Sequence, residues 1–248
     1  MNKKKYKYVV FDFDGVVCDS TNECIVTSWN AWERWNNGNL FRTSLKEFSN
    51  NEINTFRPLR PYVRGAGEYY VLMRSINSHN LIKNQKDFDS FRIKWINNID
   101  KFKTLFFKER KRLKAFSMDN WINLHNVYDD VIDEMSFLNS RNKLLIATLK
   151  DGESVKQILN KNGINILPKN ILDQSQIQSK IDALNFFVKD KKISKKDLCF
   201  IDDNVTHLIE PNKTGFDVFL SCWGNTIEEH KQLALQEKIQ ILNSIKEG

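Results

Sequence analysis

Two pairs of aspartates are the residues best placed to do chemistry. Asp12 and Asp14 flank Phe13 and are followed by Gly15, and Asp202 and Asp203 are adjacent. Each pair follows a short apolar run: Tyr8-Val9-Val10-Phe11 in the first case, Leu198-Cys199-Phe200-Ile201 in the second. Such runs read as buried parallel strands. In an open parallel sheet, ligands bind beyond the carboxyl ends of the strands. If the two strands are neighbours, four carboxylates converge there. Two like charges ~4 Å apart repel by roughly 4 kcal/mol at an effective dielectric of about 20. A hard divalent cation with oxygen ligands removes that penalty, and Mg²⁺ is the usual one beside phosphates. A lone Asp-x-Asp reads equally well as a turn or a surface pair. Two acidic pairs, each closing an apolar strand, point instead to a metal site.

A phosphoryl site also needs hydroxyl and cationic groups on its non-metal side. Thr148 closes the run Leu144-Leu145-Ile146-Ala147. There its hydroxyl and nearby backbone N–H groups can hold a phosphate oxygen at a helix start. Lys180 opens a helical stretch after Ile171-Leu172-Asp173. It can neutralise both a phosphate and a nucleophilic carboxylate. Either residue alone is a weak signal, and their order and strand-end placement give them weight.

The elements that must position these residues alternate along the chain. Further strands are expected at Lys143 to Thr148, Ile171-Leu172 and Phe216 to Ser221. Helices are expected at Asp151 to Lys161, closed by Asn162-Gly163, and at Lys180 to Val188. The alternation predicts an α/β fold, a Rossmann-like parallel sheet core with helices on both faces. Residues 21–124 read differently. Aromatics recur there at helical spacing, as in Trp29, Trp32, Trp35 and Phe88, Phe91, Trp95, and strand signals are scarce. The stretch is expected to be a mainly helical domain inserted into a core made of 1–20 and 125–248. Asp19 with Ser20 reads as the N-cap of its first helix.

Composition bounds the alternatives. The chain has 248 residues, 41% hydrophobic and 28% charged, enough for a sizeable core. No run approaches the ~18 apolar residues of a membrane span. The basic start, Met1-Asn2-Lys3-Lys4-Lys5, precedes an apolar run broken by Asp12 and Asp14, so a signal peptide is not expected and a cytoplasmic address is. Cys18, Cys24, Cys199 and Cys222 form no C-x-x-C pair and read as buried free thiols. His79, His125, His207 and His230 show no metal-ligand spacing. The net charge of +7 comes without a nucleic-acid recognition motif. Neither a nucleic acid nor a membrane is expected as partner, and oligomeric state is not legible.

The residues around these motifs resemble the haloacid-dehalogenase (HAD) superfamily. Phe11-Asp12-Phe13-Asp14-Gly15-Val16-Val17 resembles its first motif, Thr148 its second, Lys180 its third, and Leu198 through Asp203 its fourth. The helical insertion resembles the C1 cap of the phosphoglycolate-phosphatase and β-phosphoglucomutase branch. The resemblance implies a Mg²⁺-dependent phosphatase, with a phosphomutase as the alternative and a catalytically silent binding module as a third reading. Asp12 would be the nucleophile, forming an aspartyl-phosphate. Asp14 would be acid and then base, and Thr148 and Lys180 would hold the phosphoryl group. Mg²⁺ would be held by Asp12, the backbone carbonyl of Asp14, and Asp203, with Asp202 as a further ligand or a supporting group. His207 stands where many relatives carry another aspartate.

Within the insertion, Arg57-Pro58-Leu59-Arg60-Pro61-Tyr62-Val63-Arg64-Gly65 concentrates three cations on a stiffened segment. Arg57, Arg60 and Arg64 are candidates to bind an anionic part of the substrate, with a solvated loop as the other reading. A C1 cap implies a small phosphorylated substrate. A sugar phosphate, or a phosphorylated precursor in capsule or surface-polysaccharide biosynthesis, is the expected class.

Overall fold

The computed structural model describes residues 5–78 and 80–247. The start Met1–Lys4 and His79, both read above, lie outside the described residues. The chain divides into two compact units, Met1–Asp19 with Val127–Gly248, and Ser20–Asn126. Its strands are β1 (Tyr8–Phe11), β2 (Cys18–Asp19), β3 (Asn126–Val127), β4 (Leu144–Ala147), β5 (Ile171–Leu172), β6 (Leu198–Asp202), β7 (Asp217–Ser221) and β8 (Gln240–Leu242). Helices α1 (Thr21–Trp35), α2 (Asn50–Phe56), α3 (Tyr69–Asn77), α4 (Gln85–Lys94), α5 (Ile96–Phe116) and α6 (Met118–Ile122) lie in the second unit. Helices α7 (Asp129–Ser140), α8 (Gly152–Lys161), α9 (Lys180–Lys191), α10 (Val205–Lys213) and α11 (Glu228–Gln236) lie in the first.

The first unit is built on a six-stranded sheet of order β5-β4-β1-β6-β7-β8, in which every neighbouring pair is parallel. β1 is central. Val9 pairs with Leu144 on one side and Cys199 on the other, and Phe11 with Ile146 and Ile201. All of β4 and β6 is buried, which explains their near-continuous apolar sequence. Val10, Leu145 and Phe200 pack with Leu184 and Phe187 of α9 and Leu208 of α10. This register is what positions the site. Asp12 and Asp202 leave adjacent strands at the same level, with Thr148 one residue beyond the neighbouring β4.

The strands expected at 143–148, 171–172, 198–201 and 216–221 form, with edges within one residue of expectation. α8 starts at an Asp151 N-cap whose side chain accepts from Ser154 N at 2.9 Å, and it ends at Asn162, followed by Gly163 at φ +78°. The sequence reading missed β2, β3, β8, α7, α10 and α11. β8 is three residues in an otherwise polar tail, too short for periodicity to show. Ser20 stands at the N-cap position of α1 but makes no capping hydrogen bond through its side chain. Cys18, Cys24 and Cys199 are buried and in no disulfide, as expected, whereas Cys222 is half-buried.

In the second unit all described elements from α1 to α6 are helical, apart from 3-10 turns. Its aromatics are core. Trp35 and Tyr70 pack edge to face at 4.9 Å, Trp32 lies 5.8 Å from Tyr70, and Phe88, Phe102 and Phe106 are fully buried. Glu23, wholly buried on α1, accepts from Arg110 Nε at 2.9 Å and Nη2 at 2.8 Å on α5, and from Thr27 Oγ1 at 2.6 Å. No helix among the described residues is long and apolar enough to cross a membrane.

Candidate active site

Asp12 sits at the carboxyl end of β1, where its N–H donates to Ile201 O at 2.9 Å. Lys180 reaches it from the first turn of α9. A capping box fixes that turn: Ser179 Oγ accepts from Asp182 N at 3.3 Å, and Ser179 N donates back to Asp182 Oδ2 at 3.0 Å. Lys180 Nζ then donates to Asp12 Oδ1 at 2.5 Å and to Ala147 O at 2.7 Å, and lies 3.5 Å from Asp202 Oδ2. Burial works against the Lys180 charge, but Asp12 and Asp202 hold the ammonium above the usual lysine range. For Asp12, burial outweighs the lysine and, with Asp202 adding repulsion, lifts the carboxyl to about 6.

Asp202 is fully buried at the end of β6. Its Oδ1 accepts from Asn204 N at 2.8 Å, and its Oδ2 lies 3.0 Å from His207 Nδ1. Burial raises its pKa, yet His207 and Lys180 together hold it below the usual range. Asp203 faces elsewhere. Its Oδ2 accepts from Asn225 N at 3.0 Å, and a Cβ at Gly15 would lie 1.8 Å from that same oxygen. Gly15, at φ +87°, thus permits both the turn after Asp14 and the approach of Asp203. The loop after β7 closes on this turn. Trp223 Nε1 donates to Val16 O at 2.9 Å, and a Cβ at Gly224 would fall 1.9 Å from Gly15 O.

Thr148 is buried, its N–H donating to Leu172 O at 2.9 Å and its Oγ1 accepting from Lys150 N at 3.0 Å. Asp14 is paired with a residue absent from the sequence reading. Lys150, its side chain wholly buried, donates from Nζ to Asp14 Oδ1 at 3.0 Å. The signal was available as a lysine two residues past a strand-closing threonine, but nothing local tells such a lysine from a solvated one. His207 is the second surprise. Its sequence spacing suggested no metal role, yet Asp12, Asp202 and His207 place possible ligand atoms within 4.8 Å of one another.

A divalent cation fits this donor set. At these strand ends three carboxylates, of Asp12, Asp14 and Asp202, meet two ammonium groups, of Lys180 and Lys150, and Asp203 adds a fourth carboxylate beside Gly15. That leaves two negative charges to balance, and oxygen donors suit a hard ion. Between Asp12 and Asp202, Lys180 already provides the positive charge. A cation would therefore draw on the second oxygen of Asp12 and on Asp203 beside the Asp14–Gly15 turn. A cavity of about 190 Å³ opens beside Lys180, lined also by Leu149, Gln178, Ser179, Thr206 and His207.

The three candidate arginines lie in the second unit, the first two on the 3-10 helix Arg57–Tyr62. Arg57 is exposed and donates from Nη2 to Asn22 Oδ1 at 2.6 Å. Arg60 is half-buried, donating from Nη1 to Val63 O at 3.3 Å with its guanidinium 5.8 Å from the Tyr69 ring. Arg64 is committed to Glu68 and Asp89, which hold its guanidinium charged against the cost of burial.

A family model for haloacid dehalogenase-like hydrolases matches residues 6–209. No curated protein matches the chain in sequence. Solved structures share its fold. A haloacid dehalogenase-like family hydrolase from Streptococcus pneumoniae superposes with a TM-score of 0.63 at 15% identity, over 97% of this chain and 95% of that one. A structure named as a predicted phosphoglycolate phosphatase, from Haemophilus somnus 129pt, gives 0.62 at 18% identity, over 98% and 96%. A HAD-superfamily hydrolase of subfamily IA from Geobacter sulfurreducens PCA gives 0.51 at 13%, over 94% and 97%. With the match spanning both units and the strand-end aspartates in place, the chain belongs to the haloacid dehalogenase-like hydrolase family.

Proposed function

We propose that this protein is a Mg²⁺-dependent phosphatase that hydrolyses a small phosphorylated metabolite through an aspartyl-phosphate at Asp12. The observation that carries the reading is the buried contact of Lys180 Nζ with Asp12 Oδ1, with Asp14 two residues along the same loop. Lys180 orients the Asp12 carboxylate and supplies positive charge where a phosphoryl group would arrive. An Asp12 oxygen bonds to phosphorus as the ester P–O bond breaks, and Asp14 gives its proton to the leaving oxygen. Asp14 then takes a proton from water, whose oxygen displaces Asp12 and releases inorganic phosphate. Thr148, at the end of β4, hydrogen-bonds a phosphoryl oxygen. Asp12, the Asp14 carbonyl and Asp203 would hold a Mg²⁺, which would supply charge neutralisation at the phosphoryl group. Asp202 supports from behind, its oxygens being engaged by Asn204, His207 and Lys180.

A small substrate is supported by the predicted phosphoglycolate phosphatase named among the similar folds. Selection of that substrate by the helical unit belongs to the same reading. Arg57 and Arg60 are its candidates, because Glu68 and Asp89 already occupy Arg64. The test is phosphate release from a panel of phosphorylated metabolites with Mg²⁺, using wild type and Asp12→Asn. Wild type should release phosphate and lose it with EDTA. Asp12→Asn should fold and be inactive, because an amide forms no acyl phosphate. Wild-type turnover in Asp12→Asn would overturn the covalent mechanism.

A further inference from the structure

Lys150 is a lysine with its side chain fully shielded from water, and the reaction outlined above gives it no task. Burying an ammonium costs several kcal/mol unless a partner compensates it. Its partner is Asp14 Oδ1, at 3.0 Å, on a side chain that remains 22% exposed. The lysine cannot easily swing away. Its own N–H donates to Thr148 Oγ1 at 3.0 Å, and the next residue, Asp151, caps α8. Strand β4 and helix α8 therefore fix a cation whose tip meets one oxygen of Asp14.

We propose that Lys150 is a positioning residue that decides which Asp14 oxygen handles the proton. An ammonium has only hydrogens to offer, so the oxygen it meets must act as acceptor. When Asp14 is a neutral acid, Oδ1 is then the carbonyl oxygen and the proton sits on Oδ2. Oδ2 gives that proton to the leaving oxygen as the ester P–O bond breaks. In the second half-reaction the same oxygen takes a proton from the attacking water. The inference rests on the reading of Asp14 as acid and base.

The leaving group makes this testable. Phenyl phosphate needs a proton delivered to its departing oxygen more than p-nitrophenyl phosphate does, because nitrophenolate leaves readily. Values of kcat/KM report the first half-reaction for both esters. In Lys150→Met, phenyl phosphate should lose on the order of a hundredfold, about tenfold more than p-nitrophenyl phosphate, within the range of general acid catalysis. Lys150→Gln keeps a donor and should lie closer to wild type in the ratio of the two esters, which covers the case of Lys150→Met failing to fold. In an Asp14→Asn background the lysine substitutions should change that ratio less than about twofold, since the acid they position is gone. Equal losses on both esters would assign Lys150 a structural role. A rise in KM with kcat unchanged would make it a phosphate binder. Either result overturns the proposal. If Asp14→Asn alone keeps the wild-type ratio, the acid reading of Asp14 fails, a separate outcome from failure of Lys150 to act through it.

Discussion

At the scale of residues, the site is a balance between burial and compensating charge. Asp12 shows it most clearly: its carboxyl rises to about 6 even with Lys180 Nζ at 2.5 Å. The folded protein without metal thus holds the Asp12 proton more tightly than the unfolded chain does. Its contribution to stability is full below the unfolded value of about 4 and is lost as pH rises through about 6. A metal ion held by Asp12, as proposed, would compete with that proton for the same carboxylate. Mg²⁺ affinity should accordingly weaken as pH falls below about 6, approaching a tenfold loss per unit, and be nearly level above about 7. Calorimetric titration across that range, with protons released on binding at the acid end, checks this. An affinity flat down to about pH 5 would mean that Asp12 is not a ligand.

At the scale of elements, the site depends on two loops pressed together without side chains between them. Gly224, after β7, leaves no room for a Cβ, which would fall 1.9 Å from Gly15 O. The neighbouring Asn225 N–H donates to Asp203 Oδ2. Gly224→Ala should therefore cost about 1–3 kcal/mol, as overpacking does, and weaken Mg²⁺ binding by moving Asp203. Gly163→Ala is the control: its φ is +78°, and a Cβ there meets nothing within 4 Å. It should cost about 1–2 kcal/mol through backbone conformation alone, with metal affinity unchanged. Thermal melts and Mg²⁺ titrations of both variants separate the two effects. Unaltered metal binding in Gly224→Ala would uncouple this loop from the site.

At the scale of the whole molecule, the two units hold their interiors together differently. The first relies on an apolar parallel sheet. The second sets an ion pair among its aromatics, Glu23 at 0% side-chain exposure with Arg110 at 6%. Removing one partner strands the other charge, at a cost of about 3–5 kcal/mol. Glu23→Ala should thus lower the denaturant midpoint of the helical unit markedly. Five of the six tryptophans lie in that unit, so intrinsic fluorescence reports on it. A midpoint within error of wild type would show that Arg110 finds water once Glu23 is gone.

The sequence by itself determined the class of fold and the strand-end aspartates. Both follow from local pattern. A short apolar run such as Leu198-Cys199-Phe200-Ile201 signals a buried strand, and the polar residues just after it fall at the ligand-binding edge. Asp12, Asp14, Thr148, Asp202 and Asp203 were candidates for that reason, and Lys180 was one as the opening residue of a helix. The partners of those residues were decided only by tertiary structure. Lys150 meets Asp14 across 136 residues, and Lys180 meets Asp12 across 168. A lysine's role depends on whether water is excluded around it, which no local spacing encodes. The same holds for His207, which sits by Asp202 because α10 turns back over the end of β6. It holds too for Arg64, whose carboxylate partner Asp89 lies 25 residues further on. Side-chain identity marked where chemistry is feasible, and packing of distant segments set which charges are paired and which remain for a substrate.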